Sequence, residues 1–165
     1  MATIAQAPGD LDALADEIES GRIVTEADRM FGGQFIRSRI ADRTAHGVDA
    51  HGQSFADYTP GYRKRKEKAR GRVDQVDLYG TAHHPHMMNA MLARTNTEGF
   101  EVGFYGEEAE RAKAINEGTE RMAERRFFEA NEQDITDVKE AIATRMEARL
   151  QRSTSLGNLI AAVED

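Results

Sequence analysis

Thirteen residues, ARTNTEGFEVGFY at positions 93–105, constrain the fold of this chain most. Phe100, Val102 and Phe104 alternate with polar or small residues, the period-two pattern of a strand with one apolar face. Glu98-Gly99 separates that run from the ARTNT run before it, as a hairpin turn would. An antiparallel sheet follows, and the helical periodicities elsewhere in the chain have to pack on it.

Those periodicities come with start and stop signals. Thr25 and Asp28 form a capping-box pair ahead of a helix in which Ala27, Phe31, Phe35, Ile36 and Ile40 recur. Gly32 and Gly33 weaken that helix by about 1 kcal/mol each and suggest that another backbone comes close. Thr59-Pro60 opens a short helix, with proline in the first turn. His46 to Pro60 reads as an extended loop anchored by Phe55 and Tyr58. Pro85 is expected to start a helix over HMMNAMLA with Met88, Met91 and Leu92 on one face. Glu107 to Asn116 is helical and closes at Glu117-Gly118. TERMAERRFF is expected to include a short edge strand. Asn131 and Asp134 cap a long helix with the stripe Ile135, Val138, Ile142, Met146 and Leu150.

The two ends read differently. Residues 1–9 lack periodicity and are expected to be a loose tail. Leu11, Leu14, Ala15 and Ile18 then form a short amphipathic helix between Asp10 and Gly21. Leu156, Leu159, Ile160 and Val163 repeat the spacing at the other end. The expected fold is therefore α+β, a small antiparallel sheet with packed helices and helical N- and C-terminal extensions. The chain divides into an arm at 1–23, a core domain at 24–150 and an amphipathic tail at 151–165. Its 165 residues suit a single core.

Charge is distributed unevenly. Between Arg63 and Arg72 stand seven Lys or Arg and one Glu, a local +6 in a chain of net charge -7, which leaves about -13 for the remainder. Nucleic-acid binding needs cations that neutralise phosphates, and sequence reading also needs side chains at base edges. Consecutive cations on a helix point all round it, and a pI near 5.3 is unlike a dedicated binder. Arg63 to Lys68 therefore reads as a solvent or partner face that can meet the acidic surface of a neighbouring copy.

Other chemistry is poorly represented. The absence of cysteine removes disulfides, thiolate metal sites and a cysteine nucleophile. His83, His84 and His86, with Asp74 or Asp77, could in principle meet a metal, but without metal-binding spacing they read as a surface loop. Nothing resembles a nucleophile elbow or a phosphate-cradling loop. No catalytic residue, metal or cofactor is expected. The N-terminus lacks the basic and apolar regions of a secretory signal, and no apolar run would cross a membrane, so a soluble intracellular chain is expected.

Three motifs together resemble a known family. They are the Tyr-Thr-Pro-x-Tyr-x-x-x-Lys run that closes Gly52 to Lys66, the Asn-Glu-Gly turn at Asn116 to Gly118, and the Arg-x-Phe-Phe element at Arg125 to Phe128. In this order, across residues 24–150, they are similar to the virion morphogenesis (tail-completion) family of tailed bacteriophages. The chain departs from that pattern at Gly80 to His86, where the family commonly has Thr-Gly before its central helix. The resemblance implies a non-enzymatic virion protein, assembled in the host cytoplasm as a homo-oligomeric ring at the neck. Its partners would be a head-tail connector or portal-side adaptor and the tail tube or tail terminator, with weak non-specific contact to genomic DNA and none to a membrane. On that reading Tyr58, Pro60 and Tyr62 set the turn and anchor it to the core. The interface residues are expected to be Tyr58, Tyr62, Arg63, Lys64, Arg65, Lys66, Arg121, Arg125, Arg126, Leu156, Leu159 and Ile160. A nucleic-acid accessory protein using residues 63–72 is the alternative.

Overall fold

A computed structural model describes residues 2–3, 24–69, 73–76, 78 and 87–161, with the backbone alone at 2–3, 150 and 152–161. The order is β1 (Ala2–Thr3), α1 (Glu26–Ala45), α2 (Pro60–Lys68), a 3-10 turn (Met87–Ala90), β2 (Leu92–Thr95), β3 (Phe100–Phe104), α3 (Glu107–Glu117) and α4 (Glu132–Ala161). The fold is α+β, as the alternation at Phe100 to Phe104 requires. β2 and β3 form an antiparallel hairpin in which Leu92 faces Gly103 and Thr95 faces Phe100. Asn96 closes its turn, its Oδ1 accepting from the N–H groups of Glu98 and Gly99 at 2.9 and 2.7 Å.

The expected caps are present. The Thr25 Oγ1 accepts from the Asp28 N–H, and the Asp28 carboxylate accepts from the Thr25 N–H at 3.0 Å, which closes the box at the start of α1. Asn131 and Asp134 do the same for α4, at 3.1 and 2.8 Å. α3 ends at Gly118, whose φ of 76° suits a residue without a Cβ.

α1 lies between the sheet and α4. Gly32 and Gly33 let it approach closely, but what they admit is side chains and not another backbone. A Cβ at Gly33 would stand 2.9 Å from the Ala93 Cβ, and one at Gly32 would stand 2.6 Å from the Phe100 ring. The core is built from Ile36, Ile40, Met88, Met91, Val102, Phe104, Phe127 and Val138, with Phe104 and Phe127 meeting edge to face at 6.0 Å.

α1 and α4 run antiparallel and are tied at both ends. Arg43 and Arg39 of α1 pair with Asp134 and Asp137 of α4. At the other end the signs are exchanged, and Asp28 of α1 receives Arg149 at 2.6 Å and Arg145 at 3.7 Å. Burial pushes the Asp28 carboxyl up, but hydrogen bonds from Thr25 and Arg149 outweigh it and hold the group below the ordinary aspartate value.

Several expectations are corrected. Residues 87–90 form a 3-10 turn and not an α-helix. Met88 and Met91 are buried, whereas Leu92 opens β2 and is 44% exposed, so the three do not share a face. No strand forms in Thr119 to Phe128, where a single bridge joins Thr119 and Met122. Two residues of the expected loose tail, Ala2 and Thr3, pair with Phe104 and Gly103. The long helix does not stop near residue 150 but continues to Ala161, across the boundary drawn for a separate tail. The helix expected at 10–21 lies outside the described residues.

Candidate functional site: a basic helix on a buried node

α2 is nearly all surface, with eight of its nine residues exposed. Thr59 caps it, accepting weakly from the Tyr62 N–H at 3.4 Å, and Pro60 occupies the first turn. Its one buried residue is Lys66, 1% exposed, whose ammonium donates to the Tyr58 hydroxyl at 2.8 Å and lies 4.7 Å from the centre of that ring. This corrects the reading of Arg63 to Lys68 as a solvent or partner face at one residue: the helix turns Lys66 inward and the other cations outward. Five neighbouring cations carry no hydrophobic phase, so the sequence pattern could not single out the inward one.

Arg125 completes the node from the far side. It is buried, and its guanidinium donates to the carbonyls of Ala56 and Asp57 at 3.1 Å each and of Ala123 at 3.3 Å. It therefore grips the two residues that lead into Tyr58, with its guanidinium carbon 5.7 Å from that ring. Burial lowers its pKa from the usual arginine value, partly offset by Tyr58, Tyr62 and Asp57. The expectation that Arg125 faces a partner is thus corrected, because within this chain it is an internal clamp. Tyr58 is buried as well, whereas Tyr62 packs on it at 5.0 Å and remains 38% exposed, so it is only half an anchor.

The three motifs of the sequence meet here. The Arg125 N–H bonds the Ile115 carbonyl at 3.0 Å, and Asn116 of the Asn-Glu-Gly turn accepts from the Phe128 N–H at 3.0 Å. One assembly therefore joins the Tyr58 to Lys66 run, the Asn116 to Gly118 turn and the Arg125 to Phe128 element.

The outward cations are differently placed. Arg63 reaches Asp57 only at 3.8 Å across an open surface, Arg65 stacks over Tyr62 at 5.6 Å, and among the described residues Lys64, Arg65 and Lys68 make no ion pair. Arg121 is exposed, and Arg126 is exposed and paired with its neighbour Glu124. The helix backbone runs through Leu156, Leu159 and Ile160, but their side chains lie outside the description.

Among the described residues one further feature is concave. A depression of about 680 Å³ is lined by Arg43, His51, Glu129 and Asn131 among others. Its polar groups are engaged in holding the start of α4: Arg43 bonds Asp134 and the Glu129 carbonyl, and Asn131 bonds the Ala50 carbonyl at 2.6 Å. Among the described residues no three His, Asp or Glu are grouped to hold a metal, and no helix is long and apolar enough to cross a membrane. His83, His84, His86 and Asp77 lie outside those residues. The class defined so far is a small α+β protein with a basic surface helix locked to its core. No family model, curated protein or solved structure matches the chain.

Proposed function

We propose that this chain is a non-enzymatic structural protein of a tailed-phage virion, forming a ring in the neck or tail-end region that completes the tail and joins it to the head. The observation that carries the reading is the convergence of three motifs, separated by up to 70 residues of chain (Tyr58 to Phe128), on one buried node. Residues that define a family by packing, and not by lining a cleft, suit a protein that works through its surfaces. The node holds α2 out as a rigid cationic element of a chain whose net charge is -7, so the remaining surface of a second copy is electrostatically complementary to it. Partners at either face would be the connector or portal-side adaptor and the tail tube or terminator.

Light scattering of the purified protein across concentration and salt tests this. A discrete ring, or a monomer that becomes one on concentration and dissociates with salt, is the expected result. A monomer at every concentration, with or without the partner rings, would refute it.

Lys64, Arg65 and Lys68, which make no ion pair among the described residues, favour a second reading, a nucleic-acid accessory protein using residues 63–72. Binding to duplex DNA with a steep salt slope, lost when Arg63, Lys64 and Arg65 become Gln, would replace the first reading with this one.

A further inference from the structure

The helix α2 turns a cationic line away from its own chain. Lys64 and Lys68 stand two residues to either side of the buried Lys66, and so lie on the opposite side of the helix, one turn or about 6 Å apart. Both are exposed, and neither they nor the flanking Arg65 make an ion pair among the described residues. Glu67 is the one acidic residue of the helix and stands to the side of that line. A second α2 would meet this face with the same sign of charge, so its counterpart has to be a different, acidic surface.

α4 carries such a surface. Glu140 stands two residues from both Val138 and Ile142, which pack on the core, and so points away from it. Glu147 follows seven residues later on the same side, about 10 Å along the axis, and both carboxylates are exposed. Neither forms an ion pair among the described residues. Thr136 and Thr144 flank this line and turn their hydroxyls back on the carbonyls of Glu132 and Glu140, at 2.9 Å each, so the two carboxylates supply its charge. The cations of α4 are engaged elsewhere: Arg145 and Arg149 turn to Asp28, and Lys139 is half-buried and has a partner. The acidic residues of α3 are placed differently, since Glu108 is paired with Arg111 at 3.3 Å and Lys113 stands between Glu110 and Glu117.

Within one chain no ion pair joins α2 to α4 among the described residues, so each face keeps its charge for another molecule. We propose that the Lys64–Lys68 face of α2 docks on the Glu140–Glu147 face of α4 in a second copy of this chain. The inference rests on the ring reading and names the contact between neighbours in that ring. Every copy offers both faces at once, so the contact passes from copy to copy until the ring closes. Exposed ion pairs are weak singly and are screened by salt, so the contact holds where several form together and repeat around the ring.

Zero-length coupling of amines to carboxylates by a carbodiimide tests the contact on the unmodified protein. In an equal mixture of isotopically light and heavy chains, at a concentration where the protein assembles, Lys64 or Lys68 should join Glu140 or Glu147 in pairs of mixed isotope. Those pairs should vanish at about 1 M salt. Cross-links that form only within one chain, or only to other carboxylates, overturn the proposal. Charge reversal gives an independent reading. Lys64→Glu with Lys68→Glu, and Glu140→Lys with Glu147→Lys, should each weaken assembly at least about tenfold, and all four together should restore it to within about threefold of wild type. If the two pairs leave assembly unchanged, or weaken it without mutual rescue, the docking is wrong and the ring forms through another surface. Assembly that stops at a dimer with these cross-links present keeps the contact and removes the ring. A chain that stays monomeric throughout removes both. Lys64 and Lys68 shielded from modification by duplex DNA, and not by a second copy, would give α2 to the nucleic-acid reading and overturn the proposal.

Discussion

Replacing Arg125 by methionine isolates the energetics of the node. The substitution keeps most of the apolar stem but removes donors to three backbone carbonyls, those of Ala56, Asp57 and Ala123, at 3.1 to 3.3 Å. Hydrogen bonds from a charged donor are worth about 1.5–3 kcal/mol each by deletion, so simple addition would give roughly 4.5–9 kcal/mol. Two effects reduce that figure. Removing the guanidinium also removes its own desolvation cost, which is several kcal/mol because no carboxylate bonds it among the described residues. In addition, loop carbonyls near the surface recover some hydration once released. The net loss should be about 3 kcal/mol, or roughly 6–12 °C in Tm for a chain of this size. Arg125→Lys should lose about 2 kcal/mol, because a compact ammonium cannot fork to two adjacent carbonyls. Thermal and urea unfolding followed by circular dichroism measure both, and hydrogen exchange should show α2 loosening before α4. An Arg125→Met protein within about 0.5 kcal/mol of wild type, with α2 unchanged, would refute the clamp.

Three further outcomes are expected. Lys66→Gln should lower the melting temperature, whereas Lys64→Gln, Arg65→Gln and Lys68→Gln together should leave stability within about 0.5 kcal/mol, since only Lys66 is buried. Gly33→Ala should destabilise by about 1–2 kcal/mol in urea titrations despite its better helix propensity, because the new Cβ meets Ala93 at 2.9 Å, and Ala93→Gly should relieve it. The folded-state pKa of Asp28 is below the ordinary 3.8, so its contribution is complete above that value and fades as pH falls through the folded pKa. Asp28→Asn should therefore lower stability at pH 7 and flatten the acid limb of a stability–pH curve below about pH 4.

The legible parts of the fold were those fixed by local chemistry. Thr25 with Asp28, Asn131 with Asp134 and Thr59 each satisfy backbone groups within one turn, Pro60 needs no partner for its nitrogen and Gly118 supplies the positive φ that ends α3, so their spacing alone places the element. Alternation at Phe100 to Phe104 likewise reports the sheet. What could not be read depended on distant partners. The inward turn of Lys66 is set by Tyr58 eight residues earlier, and the role of Arg125 by carbonyls 68 and 69 residues away. Met87 to Ala90 tightens to a 3-10 turn because the chain must enter β2 at Leu92, leaving no room for the longer helix that its composition permits. The pairing of Ala2 and Thr3 uses backbone groups and leaves no mark on side-chain pattern.

The exchanged signs at the two ends of the α1–α4 pair have a mechanical consequence. Arg43 and Arg39 face Asp134 and Asp137 at one end, and Asp28 faces Arg149 and Arg145 at the other. A slide of α4 by half a turn would strain the pairs at both ends at once, and a full turn would re-form only some of them, because Arg145 and Arg149 stand one turn apart, so the register resists small axial shifts. A pull along α4 from its C-terminal end, which runs twelve residues past Arg149 to Ala161, would load these ion pairs together in shear and not one after another as in unzipping. The helix thus behaves as a fixed lever: what displaces its tip turns α1, and with it the sheet that Gly33 lets α1 lie against.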